Sequence, residues 1–258
     1  MDLELNNKIA LITGASRGIG RAIALGFASE GCKIGVCARG RPELDQTITE
    51  IRSTGSEAFG FAADVTQPGE SERFVDKAAA TLGGIDILVN NVGGAAGTTL
   101  AESSDADWSI TFDLNLFHTV RTTRAALPHM RAKGGGSVLI TSSISGWKPA
   151  PTGAQYGCAK AAEMHLAGAL ALELAGDNIR VNTVCPGSIF FDGGGWDRKK
   201  QTNPEEFGDF AHREFPSGRL GSVEEVADAV VYLASRRASW INGASIPVDG
   251  AQGRPSIF

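Results

Sequence analysis

Tyr156 and Lys160 stand four residues apart in a long apolar stretch, a spacing that puts both side chains on one helical face. Together they can move a proton. A phenol with its ordinary pKa near ~10 is a poor acid–base catalyst at neutral pH. An ammonium about 4 Å away stabilises the phenolate by up to ~4 kcal/mol at an effective dielectric near ~20. With each pKa unit worth ~1.4 kcal/mol, Lys160 and a second cation nearby would lower Tyr156 by about two or three units. The pair is then an acid–base device for a carbonyl or hydroxyl oxygen. Ser143, thirteen residues earlier at the end of an apolar run, offers a hydroxyl to hold that oxygen, with Thr141, Ser142 and Ser145 as competitors. A Y-x-x-x-K pair is common, and a packed tyrosine beside a solvated lysine is the plain alternative. Position favours chemistry, because an unpaired lysine at the start of a mostly apolar helix is costly to bury.

A second group of residues suits phosphate. Thr13-Gly14-x-x-x-Gly18-x-Gly20 lies between an apolar β-forming run and a helical pattern. Backbone N–H groups and the helix dipole favour a pyrophosphate at such a junction, and glycine permits the tight turn and close approach. Alone, three loop glycines only turn a corner in many chains. Arg17 stands inside this loop, and the next strand ends in Cys37-Ala38-Arg39-Gly40-Arg41, with no carboxylate before Glu43. An acidic residue at that strand end would accept ribose hydroxyls and repel a 2′-phosphate, whereas an arginine fork matches phosphate. Solvated surface arginines are the alternative.

Hydrophobic periodicity supplies the elements that must carry these residues. It predicts strands over 8–13, 33–38, 57–62, 85–89, 137–141, 180–184 and 245–248. Helices are predicted over 21–30, 42–52, 68–82, 100–112, 113–131, 153–175 and 223–234. Near-continuously apolar strands alternating with helices mean a parallel sheet covered on both faces. The expectation is one α/β domain over 1–258: a doubly wound sheet of about seven strands, Rossmann type. The helix over 153–175 is apolar nearly all round, broken by Lys160, Glu163, His165 and Glu173. One side must meet the sheet and the other a second subunit, unless the segment 192–215 covers it. Residues 188–216 read as a substrate loop, with Phe190, Phe191, Trp196, Phe207, Phe210 and Phe215 facing a cleft or forming lid core. Gly193-Gly194-Gly195 is its expected hinge.

Composition excludes other classes. At 258 residues, 42% hydrophobic and 21% charged, the chain is neither disordered nor collagenous and buries a sizeable core. It has no run of ~20 apolar residues to cross a membrane. A net charge of -5 leaves no general basic surface for nucleic acid. Residues 1–8 are polar and run straight into a strand, unlike a signal or transit peptide. Cys32, Cys37, Cys158 and Cys185 contain no C-x-x-C pair, which argues against a metal site or disulfide scaffold. They suit a reducing compartment, hence the cytoplasm.

Taken in order, these marks resemble the short-chain dehydrogenase/reductase family, in its compact single-domain branch with a Y-x-x-x-K active site. The glycine spacing is the family's T-G-x-x-x-G-x-G, and Asp64-Val65 follows the third strand, where members hold the adenine. Asn90-Asn91-Val92-Gly93 is similar to the family's N-N-A-G, with Val92 for Ala. Asn115, Ser143, Tyr156 and Lys160 fall where its catalytic residues lie, and Pro186-Gly187 follows the sixth strand. The resemblance spans roughly residues 8–250.

The resemblance implies hydride transfer between a nicotinamide and a carbonyl or secondary alcohol of a small, partly apolar molecule. Tyr156 would be the acid–base, Lys160 its tuner and a ribose ligand, and Ser143 the oxygen holder. Asn115 would kink its helix and hold a water that feeds protons to the lysine; read alone, it is a helix-surface amide. The cofactor would rest on Gly14, Ser16, Arg17, Gly18, Ile19 and Gly20, on Arg39, and on Asp64 and Val65. Asn91, Gly93, Tyr156, Lys160, Pro186, Gly187 and Ile189 would complete its site. Arg17 and Arg39 are placed as in members that prefer NADP(H), with NAD(H) the alternative. The second subunit that the apolar 153–175 helix would meet makes the chain a homo-oligomer, a tetramer or dimer.

Two departures stand out. Phe191 occupies the place of a threonine that contacts the carboxamide, so Ser188 or the Ile189 backbone must substitute. Asp177 stands where acyl-carrier-protein reductases often carry a basic residue, and Arg198-Lys199-Lys200 is a short charge run of the kind usually solvated. A non-catalytic NADP-binding sensor of the same fold is the rival reading, but it has no need of all four catalytic positions. A sugar-nucleotide epimerase would use T-G-x-x-G-x-x-G and a larger second domain, and the chain has neither.

Overall fold

Seven short apolar strands form one parallel sheet. The structure, a computed structural model, describes residues 1–253. In chain order the strands are β1 (Ile9–Thr13), β2 (Lys33–Ala38), β3 (Ala58–Ala62), β4 (Ile87–Asn90), β5 (Gly136–Thr141) and β6 (Ile179–Pro186). A two-residue β7 (Ile189–Phe190) pairs separately with β8 (Gly221–Ser222), and β9 (Ser245–Val248) closes the main sheet. Its order is β3-β2-β1-β4-β5-β6-β9, reversing direction between β1 and β4. Every residue of β1 and β4 is buried, as strands covered on both faces must be.

Helices α1 (Gly18–Ser29), α2 (Arg41–Ser53) and α3 (Glu70–Leu82) follow β1, β2 and β3, α4 (Asp105–Phe112) and α5 (His118–Ala132) follow β4, and α6 (Ala154–Leu174) follows β5. Helices α7 (Gly195–Thr202), α8 (Pro204–Glu214) and α9 (Val223–Ala234) come after β6. One core joins Ile23 and Phe27 of α1, Leu44 and Ile48 of α2 and Val226 and Val230 of α9 to one sheet face. The other joins Phe74 of α3, Met130 of α5 and Ala167 and Leu174 of α6 to the opposite face. Each fully buried large side chain contributes about 1.5–3 kcal/mol, so both faces are needed to hold the sheet. The doubly wound, Rossmann-type sheet is as expected.

Register fixes what the sheet presents. Thr13 lies level with Cys37, and Ile12 with Val89, so the carboxyl ends of β1, β2 and β4 open into one crevice where the strand order reverses.

Three expectations are corrected. The helix predicted over 100–112 begins at Asp105, because Ser104 and Asp107 form a reciprocal capping box there. The helix predicted over 113–131 opens with a π-helical turn at Asp113–Phe117, where Asn115 Nδ2 donates to the Thr111 carbonyl at 2.6 Å. The 188–216 segment is no open loop, for α7 and α8 fold onto each other within it.

Helix α6 buries one stripe, including Ala159, Lys160, Glu163 and Ala167, and packs on β6 and α4. Its outer face leaves Leu172 85% exposed. The segment α7–α8 packs on itself and beside β7, and leaves that outer residue bare.

Candidate active site

A cleft of about 630 Å³ opens at the carboxyl ends of the strands. Gly14, Ser16, Arg17, Gly18 and Ile19 line it from the β1–α1 turn, and Arg39 from the end of β2. Asp64 and Val65 enter after β3, and Asn91 and Gly93 after β4. Ser143 enters after β5, Tyr156 and Lys160 from α6, and Pro186, Gly187 and Ile189 after β6. Gly20 and Asn115 do not line it; both lie buried behind its wall.

The β1–α1 turn is built to receive a group against its backbone. Gly14 sits at φ +69°, where a Cβ would strike Val92 Cγ2 at 2.9 Å. A Cβ on Gly20 would strike Asn91 Nδ2 and the Gly14 carbonyl. Asn91 Nδ2 donates to the carbonyls of Thr13 and Gly14, while Thr13 Oγ1 accepts from the Asn91 and Val92 N–H groups. The first turn of α1 has no side-chain cap, so its N–H groups face the cleft unsatisfied. Such a cradle fits a pyrophosphate.

Arg17 and Arg39 are exposed at the rim, and among the described residues neither guanidinium has an ion-pair or hydrogen-bond partner. Glu43 folds back on Gly40 and stays out of the cleft lining. Asp64 accepts from Thr66 N and Thr66 Oγ1 at 3.1 and 2.7 Å, which fixes its turn.

At the other end, Lys160 Nζ lies 5.6 Å from the Tyr156 ring centroid. It donates to the Thr141 carbonyl at 2.9 Å and to Glu163 Oε1 at 3.2 Å, and is 2% exposed. Neither partner is among those expected of Lys160, the Tyr156 phenol and a ribose. Burial pulls the Lys160 pKa down, but Glu163 and Tyr156 outweigh it and hold the ammonium above its ordinary value.

Ser142 Oγ donates to the Lys160 carbonyl at 3.0 Å. Ser143 Oγ bonds only with Ser145, capping a short turn, so its hydroxyl remains at the cleft. Asn115 is fully buried; its Nδ2 donates to Gly94 O at 2.7 Å, and its Oδ1 lies beside the Gly93 α-carbon, as does Lys160 Nζ.

The segment after β6 roofs this end. Trp196 stacks on Phe210 with centroids 5.0 Å apart and meets Phe215 edge-on, so most of the predicted aromatics are lid core. Trp196 and Phe191 line the cleft. The Phe191 ring lies against Gly18, so the residue in the threonine's place packs on the glycine turn.

Sequence reasoning passed over Glu163 and His118. Glu163 carries a signal, a charge three residues beyond Lys160 on the same apolar helix. His118 carries none. It is fully buried, donates from Nε2 to the Val92 carbonyl at 2.8 Å, and leaves Nδ1 without a partner. Burial drives its pKa down to about 4, keeping it neutral behind the β4 turn.

The family model described as Enoyl-(Acyl carrier protein) reductase matches residues 14–251. The chain is 37% identical to an uncharacterized oxidoreductase, YvrD, of Bacillus subtilis (strain 168), over 97% of this chain and 98% of that one. It is 33% identical to the 7alpha-hydroxysteroid dehydrogenase of Escherichia coli (strain K12), over 96% and 95%. The L-sorbose reductase of Gluconobacter frateurii, solved with NADPH and L-sorbose, superposes at TM-score 0.94 with 34% identity, over 99% of this chain and 100% of that one. A 7 alpha-hydroxysteroid dehydrogenase structure with NADH and 7-oxo glycochenodeoxycholic acid superposes at 0.90 with 33% identity, over 96% and 95%.

Proposed function

The chain belongs to the short-chain dehydrogenase/reductase family, a family of oxidoreductases, and from that premise we propose an NADP(H)-dependent enzyme acting on a carbonyl or secondary alcohol. Its substrate is small, uncharged and partly apolar. The observation that carries this reading is one continuous cleft, with two free arginines at one end and Ser143, Tyr156 and Lys160 at the other.

When bound, the nicotinamide supplies or accepts the hydride. The chain's residues do the rest. Ser143 Oγ holds the substrate oxygen, and Tyr156 Oη gives it a proton in reduction or takes one in oxidation. Lys160 stabilises the phenolate and offers its N–H groups to ribose hydroxyls. Asn115, seated in the π turn, holds its amide beside Gly93 and Lys160, where a water could resupply the proton.

Arg17 and Arg39, unpaired at the adenosine end, favour a 2′-phosphate; the relatives solved with NADPH and with NADH mark both cofactors as open to the fold. Among the described residues Lys160 is the one charged side chain at the catalytic end, and Trp196, Phe191 and Leu114 give it apolar surface. Exposed Leu172, Ile110 and Phe117 support a homo-oligomer, dimer or tetramer, through α6 and its neighbours. Free thiols at Cys32, Cys37, Cys158 and Cys185 support a reducing, cytoplasmic setting. No helix among the described residues is long and apolar enough to cross a membrane.

A fluorescence titration with NADPH and NADH in parallel tests the reading without a known substrate. Tighter NADPH binding upholds it. Preference for NADH overturns the cofactor assignment, and binding of neither overturns the enzyme reading.

A further inference from the structure

Lys160 is a buried cation, and something must keep it charged. Its side chain is 2% exposed, and the one carboxylate paired with it among the described residues is that of Glu163, whose Oε2 lies 3.1 Å from Nζ and whose side chain is 1% exposed. The two are three apart on α6, so the helix sets their pairing. Sequence reading treated Glu163 as one of four interruptions of an apolar helix. The structure gives it no part in lining the cleft.

Other titratable groups facing this ammonium do not replace it. Tyr156 on α6 is the acid–base itself. Cys185 on β6 is pushed up to about 12 by burial and stays a neutral thiol. His118 on α5 is neutral above about 4. Beyond Cys185 lies Asp249, which acts on that thiol and forms no pair with Lys160. An ammonium left alone in such a place gives up its proton instead of remaining charged.

We propose that Glu163 is a positioning residue for the reaction, the internal counter-ion that keeps Lys160 protonated and seated on the Thr141 carbonyl. Both carboxylate oxygens face the ammonium, Oε1 at 3.2 Å and Oε2 at 3.1 Å from Nζ. Burial pushes the Glu163 carboxyl up, and Lys160 and the Ser142 hydroxyl act in the opposite direction, toward the ionised form. With Glu163 in place, the lysine can be almost wholly buried at the cleft wall and still act as a cation on Tyr156. The role rests on the catalytic reading of Tyr156 and Lys160, but the charge of Lys160 is measurable without turnover.

The test is a pH titration of the Lys160 Cε resonance in protein carrying lysine labelled with carbon-13 at Cε, assigned with Lys160→Arg. In Glu163→Gln the Lys160 midpoint falls by at least about one unit below wild type, as the carboxylate that chiefly opposes desolvation is gone. Glu163→Asp, which keeps the charge one methylene back, shows a smaller fall and serves as the reading should the Gln variant fail to fold. An unmoved midpoint overturns the proposal. A second readout is the pH profile of NADPH-dependent reduction, in which Glu163→Gln loses rate at lower pH than wild type while Glu163→Asp restores most of it. If wild type turns over no carbonyl while the resonance still shifts, the function is wrong and the counter-ion role stands.

Discussion

The Asn91 carboxamide donates to the Gly14 carbonyl at 3.2 Å, and so ties the turn after β4 to the turn after β1. The tie is doubled by Thr13, whose backbone carbonyl accepts from the same amide nitrogen and whose hydroxyl accepts from Asn91 N. The floor of the cleft is therefore one piece, assembled across the point where the strand order reverses. Gly20 packs directly beneath it.

That packing makes Gly20→Ala costly. Within a helix the change alone would gain about 1 kcal/mol, but the new methyl lands on Asn91 Nδ2 and the Gly14 carbonyl. Overpacking of this kind costs about 1–3 kcal/mol. Urea unfolding should show a net loss for Gly20→Ala, together with weaker NADPH binding. Gly208→Ala on α8, where a methyl meets nothing, should be neutral or stabilising. Equal effects at the two sites would refute the clamp.

Arg39→Ala should lower NADPH affinity about tenfold or more, the worth of a charge-assisted hydrogen bond, and leave NADH affinity unchanged. Arg17→Ala should act in the same direction. Paired titrations of each variant check this. A preserved NADPH preference in both would remove the arginines from the cofactor site.

His118 gives the fold a pH dependence. Its folded pKa is depressed to about 4 from an ordinary 6.5, so its contribution is complete above 6.5 and is lost as pH falls from 6.5 toward 4. Between pH 7 and pH 5 (roughly the upper part of that window) the loss should be about 2 kcal/mol. Urea midpoints at the two pH values in wild type and His118→Gln measure it. The variant should lack this increment of acid sensitivity, and an identical pH slope would count against it.

The sheet was legible because its central strands, β1 and β4 above all, are buried on both faces and read as apolar runs, and because helical patterns separate the strands. Residues lining the cleft were legible where a backbone requirement, such as the glycines at 14 and 18, leaves a mark in residue type. What escaped depended on side chains meeting from distant segments. The π turn at Asp113–Phe117 arises because Asn115 bonds the Thr111 and Gly94 carbonyls, which no periodicity records; a kink at Asn115 is expected from the family resemblance alone. The lid helices α7 and α8 are strongly polar outside their aromatic cluster, so they read as loop. Glu163 looked like a break in an apolar face, and only the pairing with Lys160 shows why a charge belongs there.

Trp196 belongs both to the lid core and to the cleft wall. Trp196→Ala should raise the KM for a carbonyl substrate about tenfold, about 1.4 kcal/mol, with NADPH affinity unaltered. Phe207→Ala, within the same aromatic cluster but absent from the cleft lining, should change KM less. Steady-state kinetics of both variants decides between a substrate contact and lid packing alone.

The most direct measurement is NADPH consumption by wild type and Tyr156→Phe across a panel of uncharged ketones, with NADPH binding measured on both proteins. The account predicts turnover by wild type with at least one ketone. It also predicts a fall of about 10²–10⁴ or more in Tyr156→Phe, and NADPH affinity nearly unchanged. Turnover by Tyr156→Phe at the wild-type rate would contradict the assignment of Tyr156 as the acid–base of this enzyme.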